Sequence, residues 1–233
     1  MNRKKRPEPF YDWHRAFVQM MMSRGMITGQ EMFCQVKSIC ERFRGERNFP
    51  DINTDDSKDI AEMIEDMYKS SNKALEPLQL RVGKIQEEEK KESEKRYTQY
   101  YVLAPAYENE QLARLQSHYG ERELEWLKLV AEHLVASSDK VCGQNELVNL
   151  CTKGGNNSTK KKLNVTEADK ALQTFTAGGY LMKVSRVRYG LGPRFMVEME
   201  KWMKQTFEDE IWECGICKKI GMIGKSRDLF NVL

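Results

Sequence analysis

The sequence predicts a mostly helical α+β protein with small β-hairpins, built from two similar modules and a short carboxyl-terminal metal-binding segment. Three helical patterns followed by two strand patterns occur twice along the 233 residues, and a C-x-x-C pair follows the second set. A chain of this length holds one large domain or two small ones. The predicted parts are a basic tail (1–9), a first domain (10–104), a second domain (105–210) and a zinc module (211–233).

In the first module, apolar residues three and four positions apart predict three helices. The first helix is expected to end at Gly25, the second to follow Thr28, and the third to begin near the capping candidates Thr54 and Asp55. The apolar positions are, in order, Phe10, Trp13, Phe17, Met21, Met32, Val36, Ile39, Cys40, Phe43, Ile60, Met63, Ile64, Met67 and Leu75.

Two strands are predicted to complete this module. Pro77 blocks helix, and Leu78, Leu80 and Val82 alternate with polar residues. The range 97–103 is rich in Tyr, Thr and Val and is the predicted partner strand. The charged run 86–96 between them is typical of a solvated hairpin tip or a short disordered loop.

The second module repeats this order. Leu124 to Val135 and Leu147 to Cys151 carry two helical patterns. A third helix, with Thr166 and Asp169 at capping-box spacing, is expected to end at 178–179. The ranges 180–184 and 187–191 predict a hairpin, and Pro193 is expected to begin one last helix that reaches Phe207. Three helices and a hairpin, twice over, predict tandem winged-helix domains.

Composition excludes several functional classes. The net charge is only +3, so no global basic field indicates nucleic acid, and no apolar run approaches the length of a membrane span. No catalytic motif surrounds the three histidines, and His14 and His133 are interpreted as partly buried structural residues. The single cysteines at 34, 40, 142 and 151 are interpreted as small buried hydrophobes, and an intracellular protein is expected.

Residues 153–194 nevertheless form a local basic region. They contain nine basic and two acidic side chains, a local net charge of +7. The region covers the loop before the third helix and the wing, the parts that would touch phosphates. Solvation alone is the competing explanation, and without side chains suited to base edges any DNA binding should be non-specific. The candidates for DNA-backbone contact are Lys160, Lys161, Lys162, Lys183, Arg186 and Arg188.

The methionines of the first module and the aromatic residues of the last helix leave two alternatives open. Methionine adapts to irregular partner surfaces, but it also fills cores. Trp202 and Phe207 are likewise suited either to cap the second module or to dock a partner.

Cys214 and Cys217 are candidate zinc ligands, because two thiolates on a tight turn can grip one tetrahedral ion. A closed structural site needs four ligands, and the sequence contains neither Cys nor His after Cys217. The sequence therefore predicts an incomplete zinc module.

Four segments occur in a telling order along the chain: DWHRAFVQMMMSRG (12–25), YYVL (100–103), FMVEME (195–200) and CGIC (214–217). In this order the chain resembles a known family, the RING-containing non-SMC element one subunits of an SMC-type complex that acts in DNA repair. The resemblance implies tandem winged helices before a RING with two zinc ions, RING-type ubiquitin-ligase activity, and a place in the nucleus on the chromosome. The implied partners are a MAGE-type subunit, a kleisin subunit and SMC proteins, with an E2 enzyme in longer forms.

The sequence departs from that family at its carboxyl terminus. Cys214 and Cys217 match the first two RING ligands and Ile216 is the candidate E2 contact, but the remaining ligands are missing. We therefore expect a truncated RING, with ligase activity belonging to fuller forms. The alternatives are a free-standing winged-helix DNA-binding regulator and an active ubiquitin ligase.

Overall fold

The computed structural model describes residues 9–91, 94–106, 119–153, 162–213 and 220–222. The chain divides into two compact units, one comprising residues 1–86 and 98–107 and the other comprising the remainder. Each unit combines helices with a small three-stranded sheet. The predicted mostly helical α+β class with small β-hairpins is therefore confirmed.

The first unit is a winged helix. Its sheet has the order β1-β3-β2, and β1 runs antiparallel to β3 with Met26 opposite Val102 and Thr28 opposite Tyr100. Its elements are α1 (Asp12–Arg24), β1 (Met26–Thr28), α2 (Gly29–Phe43), α3 (Ser57–Leu75), a 3-10 turn (Glu76–Leu78), β2 (Leu80–Lys91) and β3 (Glu94–Pro105), except that residues 87–97 at the outer end of the two strands are counted with the second unit.

The junction from α1 through β1 to α2 is set by two local signals. Gly25 adopts φ 69°, and its N–H donates to the carbonyl of Met21 at 2.8 Å, which ends α1. Thr28 and Glu31 then form a capping box, with the Glu31 N–H donating to Thr28 Oγ1 at 3.2 Å and the Thr28 N–H donating to Glu31 Oε2 at 3.0 Å. Thr28 is thus both the last residue of β1 and the N-cap of α2.

Two boundaries in this unit differ from the sequence prediction. Asp56 caps α3, because its carboxylate accepts the Lys58 N–H at 2.8 Å, whereas Thr54 accepts a hydrogen bond from Arg44. Leu78 lies in the 3-10 turn rather than in a strand, and the left-handed Gln79 (φ 56°) separates that turn from β2.

The core of the first unit settles the question about its methionines. Met21, Met32, Met63 and Met67 are all buried in it, whereas Met22 is exposed. Core filling is therefore the role of most of these side chains.

His14 is a buried structural residue, as predicted. Its Nδ1 accepts the Tyr11 N–H at 3.1 Å, so the proton of the neutral ring sits on Nε2, which donates to Asp66 Oδ2 at 3.0 Å. The imidazole therefore ties the start of α1 to α3.

The second unit repeats the winged-helix order. Its sheet is β4-β6-β5, with Cys142 opposite Tyr189 and Leu181 opposite Leu191, so the predicted hairpin is confirmed. The elements are α4 (Glu121–Ala136), β4 (Cys142–Gly143), α5 (Gln144–Lys153), α6 (Val165–Ala177), β5 (Leu181–Lys183), β6 (Arg188–Leu191), α7 (Pro193–Glu198) and α8 (Glu200–Thr206).

Here too the structure corrects two details. Asn164 and Glu167 form the capping box of α6 with hydrogen bonds of 2.8 and 2.9 Å, rather than Thr166 and Asp169, and the helix begins earlier because Asn is a strong N-cap residue. The last predicted helix is broken into α7 and α8 at Met199, whose φ and ψ of −102° and 14° leave the helical region.

At the base of the wing, two backbone segments lie too close for a side chain between them. The Gly192 N–H donates to the Tyr180 carbonyl at 2.8 Å, and the Arg194 N–H donates to the Gly179 carbonyl at 3.1 Å. A Cβ atom on Gly192 would overlap the carbonyl oxygen of Gly179. Glycine is therefore required where the chain leaves the hairpin for α7.

Beyond α8, two further strands pair. These are β7 (Ile211–Glu213) and β8 (Ile220–Met222), which run antiparallel with Ile211 opposite Met222 and Glu213 opposite Ile220. The C-x-x-C segment lies between them in sequence.

We predict that Gly192→Ala lowers the free energy of unfolding by about 1–3 kcal/mol, because the added methyl group overpacks the Gly179 backbone. Denaturant unfolding of the full chain measures the loss. Gly143→Ala is the matched control, since its Cβ would have no neighbour within 4 Å, and we expect it to change stability by less than about 1 kcal/mol. Equal stability of the two variants would contradict the packing argument.

Candidate functional site on the wing of the second unit

The turn of the second wing presents basic and apolar side chains together. Lys183, Arg186 and Arg188 are exposed, as are Val184 and Val187. The turn is closed by the Arg188 carbonyl, which accepts the Val184 N–H at 2.9 Å and the Ser185 N–H at 3.3 Å. The structure therefore brings three of the predicted DNA-backbone residues onto one hairpin.

These three cations are not equally available to a ligand. Arg188 Nη2 donates to Asp139 Oδ2 at 3.3 Å and to the Val141 carbonyl at 3.2 Å, so its charge is partly neutralised by the loop before β4. The Nζ atom of Lys183 lies 5.8 Å from the centroid of the Tyr189 ring. Arg186 is exposed in the turn itself. Lys183 and Arg186 therefore remain the better phosphate-binding candidates.

Of the three candidate lysines in the loop before α6, the structure describes only one. Lys162 is exposed ahead of α6, and its carbonyl accepts a hydrogen bond from Arg122 Nη1 at 3.4 Å. Lys160 and Lys161 lie outside the described residues. The predicted continuation of the basic surface toward residue 153 therefore stays a prediction.

On α6, the carboxylate of Asp169 is occupied within the unit. Asp169 accepts hydrogen bonds from Gln144 Nε2 and from Gln173 Nε2, both at 2.9 Å. A carboxylate and an already bonded amide are poorly suited to reading base edges beside phosphates. This arrangement favours contacts to a nucleic-acid backbone, if any, over sequence-specific ones.

A hydrogen-bonded triad holds the wing to α7. The Tyr180 hydroxyl donates to Glu198 Oε2 at 2.7 Å, and Arg194 Nε donates to Glu198 Oε1 at 2.7 Å. The guanidinium carbon of Arg194 also lies 4.8 Å from the centroid of the Tyr180 ring. Burial, followed by the negative charge of Glu198, raises the pKa of Tyr180 far above its usual value, so this hydroxyl stays protonated and acts as a donor.

The predicted zinc ligands Cys214 and Cys217 and the E2-contact candidate Ile216 lie outside the described residues. The flanking strands are described, and their antiparallel register places Glu213 opposite Ile220.

The structure also brings together a cluster of potential metal ligands that the sequence did not predict. His133, Cys142 and Glu146 offer a ring nitrogen, a thiol sulfur and a carboxylate oxygen that all lie within 4.8 Å of one another. Cys142 is buried and His133 is half-buried, as predicted, and His133 Nε2 lies 2.6 Å from Glu146 Oε1. The only sequence signal was the spacing of Cys142 and Glu146 across the start of α5.

Within the parts of the chain that the structure describes, no helix has the length and apolar character needed to cross a membrane.

The chain matches one family model and several known proteins, and their descriptions agree with one another. A family model described as the Nse1 non-SMC component of the SMC5-6 complex matches residues 14–199. The chain is 24% identical over 209 residues to a "Non-structural maintenance of chromosomes element 1 homolog" of Xenopus laevis, covering 90% of this chain and 68% of that protein. It is 26% identical to the Xenopus tropicalis homolog (92% and 71% covered) and 21% identical to the Homo sapiens homolog (92% and 72%).

A solved structure has the same fold. A chain of a structure described as the "Nse1-Nse3-Nse4 complex" superposes with a TM-score of 0.70 at 23% identity, covering 92% of this chain and 82% of that chain. At this level of identity, the match establishes the fold.

We predict that Tyr180→Phe lowers the free energy of unfolding by about 1–3 kcal/mol, because an oxygen of the largely buried Glu198 loses its donor. Denaturant unfolding of the full chain measures this. Tyr189→Phe, on the same hairpin, is the control, since the Tyr189 hydroxyl makes no hydrogen bond to any residue that the structure describes. If the triad contributed nothing to stability, Tyr180→Phe and Tyr189→Phe would be equally stable, and the prediction would be wrong.

Proposed function

Because the chain belongs to the Nse1 family of non-SMC components of the SMC5-6 complex, we propose that it is a docking subunit of that complex in DNA repair and chromosome maintenance. Its two winged-helix units would bind a MAGE-type subunit and a kleisin subunit, and through them the SMC proteins. The site of action proposed with this role is the nucleus, on the chromosome.

The observation that carries the proposal is the extent of the family match. Residues 14–199 begin in α1 and end after α7, so the match includes both winged-helix units rather than one common module. The solved structure of the same fold is described as a complex of Nse1 with Nse3 and Nse4, which supports partners of the same kind here. A match to a single winged-helix domain would be much weaker evidence for this role, because one fold serves many functions.

Exposed apolar side chains supply plausible contact points for such partners. Met22, at the end of α1, is 58% exposed, and Leu78, in the 3-10 turn, is 63% exposed. When a partner covers a large exposed apolar side chain, that surface leaves water and the free energy of the complex is lowered. The ring of Trp202 packs edge-on against the rings of Phe195 and Phe207, with centroid distances of 6.1 and 5.3 Å, which favours the capping alternative for this residue.

Zinc is the cofactor we propose for the carboxyl-terminal pair. By residue type and spacing, Cys214 and Cys217 fit two of the four positions of a tetrahedral zinc site. Bound zinc would pin this segment, and Ile216 would then be presented next to it, where a RING contacts an E2 enzyme. Ubiquitin-ligase activity itself requires the remaining ligands and is proposed only for forms that contain them.

Non-specific DNA binding is the second candidate function, favoured by the exposed Lys183 and Arg186 on the wing. It is compatible with the docking role, since phosphate contacts position a complex without reading sequence. A free-standing DNA-binding regulator would instead need this surface to act without partner subunits.

We predict that the purified chain forms a stable one-to-one pair with the MAGE-type subunit of its own complex, with a dissociation constant below about 1 µM. Size-exclusion chromatography and titration calorimetry measure this. Leu78→Lys and Met22→Lys test the proposed contact points, and Gln30→Lys adds the same charge to an exposed position of the same unit as the control. A wild-type chain that stays monomeric beside MAGE-type and kleisin subunits would refute the docking role.

For DNA, we predict weak binding to duplexes of any sequence that weakens as salt rises. Because each lost phosphate contact changes the slope of log K against log salt by about 0.9, the double variant Lys183→Ala/Arg186→Ala should reduce that slope by about 2. Fluorescence anisotropy over a salt series measures it. Lys201→Ala, an exposed lysine on α8, is the control, and an unchanged slope in the double variant would exclude the wing as the contact.

A further inference from the structure

The strongest unassigned feature is the cluster of His133, Cys142 and Glu146 in the second unit. The potential ligand atoms of these residues all lie within 4.8 Å of one another. When a metal binds at bond lengths of about 2.0–2.3 Å in tetrahedral geometry, neighbouring ligand atoms are separated by roughly 3.3–3.8 Å. The three side chains are therefore already close to the spacing that one ion requires.

The backbone that holds these residues is well ordered by hydrogen bonds. His133 lies in the last turn of α4, where its carbonyl accepts the Ser137 N–H at 3.1 Å. Cys142 is held in β4 by its pairing with Tyr189. The N–H of Gln144, at the start of α5, donates to the Val187 carbonyl at 2.9 Å, which places Glu146 in the first turn of that helix.

The loop that connects these elements is anchored from within. The side chain of Lys140 is buried, and its Nζ donates to the carbonyl of Val135 in α4. Ser137 Oγ donates to the Leu134 carbonyl at 2.9 Å. A helix end, a strand and a helix start thus converge on one point, and ligands on such fixed elements are preorganised for binding.

The donor set indicates which ion would bind. A thiolate, an imidazole and a carboxylate together suit zinc, whereas magnesium and calcium prefer oxygen ligands alone. Only 4% of Cys142 is exposed, while the side chains of His133 and Glu146 are 32% and 49% exposed. The site is thus closed on the sulfur side and open to solvent on the other, which leaves a fourth position for water or for a group from a partner.

A hydrogen bond between His133 and Glu146 is the simpler explanation for part of this geometry. Their 2.6 Å separation is that of a hydrogen bond, and the exposed Glu146 carboxylate would have to move outward by roughly 1 Å to make room for an ion. Burial raises the pKa of the Cys142 thiol, so zinc would have to displace its proton. The neighbouring cation Arg188 is held by Asp139 and by the Val141 carbonyl.

What the hydrogen bond does not explain is the thiol. Burial as a small apolar side chain accounts for the presence of Cys142, but neither that role nor the hydrogen bond requires its sulfur to lie within 4.8 Å of both His133 and Glu146. We propose that His133, Cys142 and Glu146 form a zinc site at the junction of α4, β4 and α5, separate from the carboxyl-terminal cysteine pair. This proposal concerns the second unit alone and does not depend on the assembly role.

The test uses the full chain with Cys214→Ser and Cys217→Ser, which removes the terminal pair. Zinc is measured by competition with a chromogenic chelator, and cobalt is used as a spectroscopic probe, since a bound thiolate gives a sulfur-to-cobalt charge-transfer band. We expect one zinc per chain and a cobalt band in this background. His133→Gln, Glu146→Gln and Cys142→Ala should each weaken zinc binding at least about tenfold, and Cys142→Ala should abolish the band.

Cys151→Ala is the matched control, because Cys151 is another buried cysteine of the same unit that is not in the cluster. It should keep both the zinc and the band. Thermal unfolding without metal checks that Cys142→Ala still folds, and the surface variants at His133 and Glu146 decide the matter if it does not. The proposal is overturned if the background chain binds no zinc, or if the cluster variants bind it as tightly as Cys151→Ala.

Discussion

Both units depend on the same backbone pairing, in which the few residues after the first helix join the returning strand of the hairpin. In the first unit Thr28 lies opposite Tyr100, and in the second Gly143 lies opposite Arg188. Because Thr28 is also the N-cap of α2, the strand fixes where that helix begins. Within each unit, the helices and the wing are thereby held in one arrangement.

The helices were predictable from the sequence because their apolar periodicity extends over many residues. Met32, Val36 and Phe43, for example, leave no other face of α2 to bury. The strands β1 and β4 were not, since two or three residues are too few to show alternation. The break at Met199 also left no signal, because neither Gly nor Pro marks it and the apolar pattern continues through it.

The candidate site was also predictable only in part. Its charge could be counted along the chain, and the hairpin that displays Lys183 and Arg186 was correctly anticipated. Pairings between distant residues could not be seen: Asp139 is 49 positions away from the Arg188 that it binds. His133 and Cys142 looked like unrelated structural residues for the same reason, since only the turn after α4 brings them together.

The bond between Asp139 and Arg188 has a consequence for how the wing can change over time. Asp139 belongs to the loop before β4, not to the hairpin, yet it offsets one of the hairpin's positive charges. Replacement of this one acid by a neutral residue would leave the charge of that guanidinium without its counter-charge, while the hairpin's own residues stay unchanged. Substitutions at Asp139, outside the hairpin, can therefore change the net charge near the wing by one elementary charge at a time during evolution.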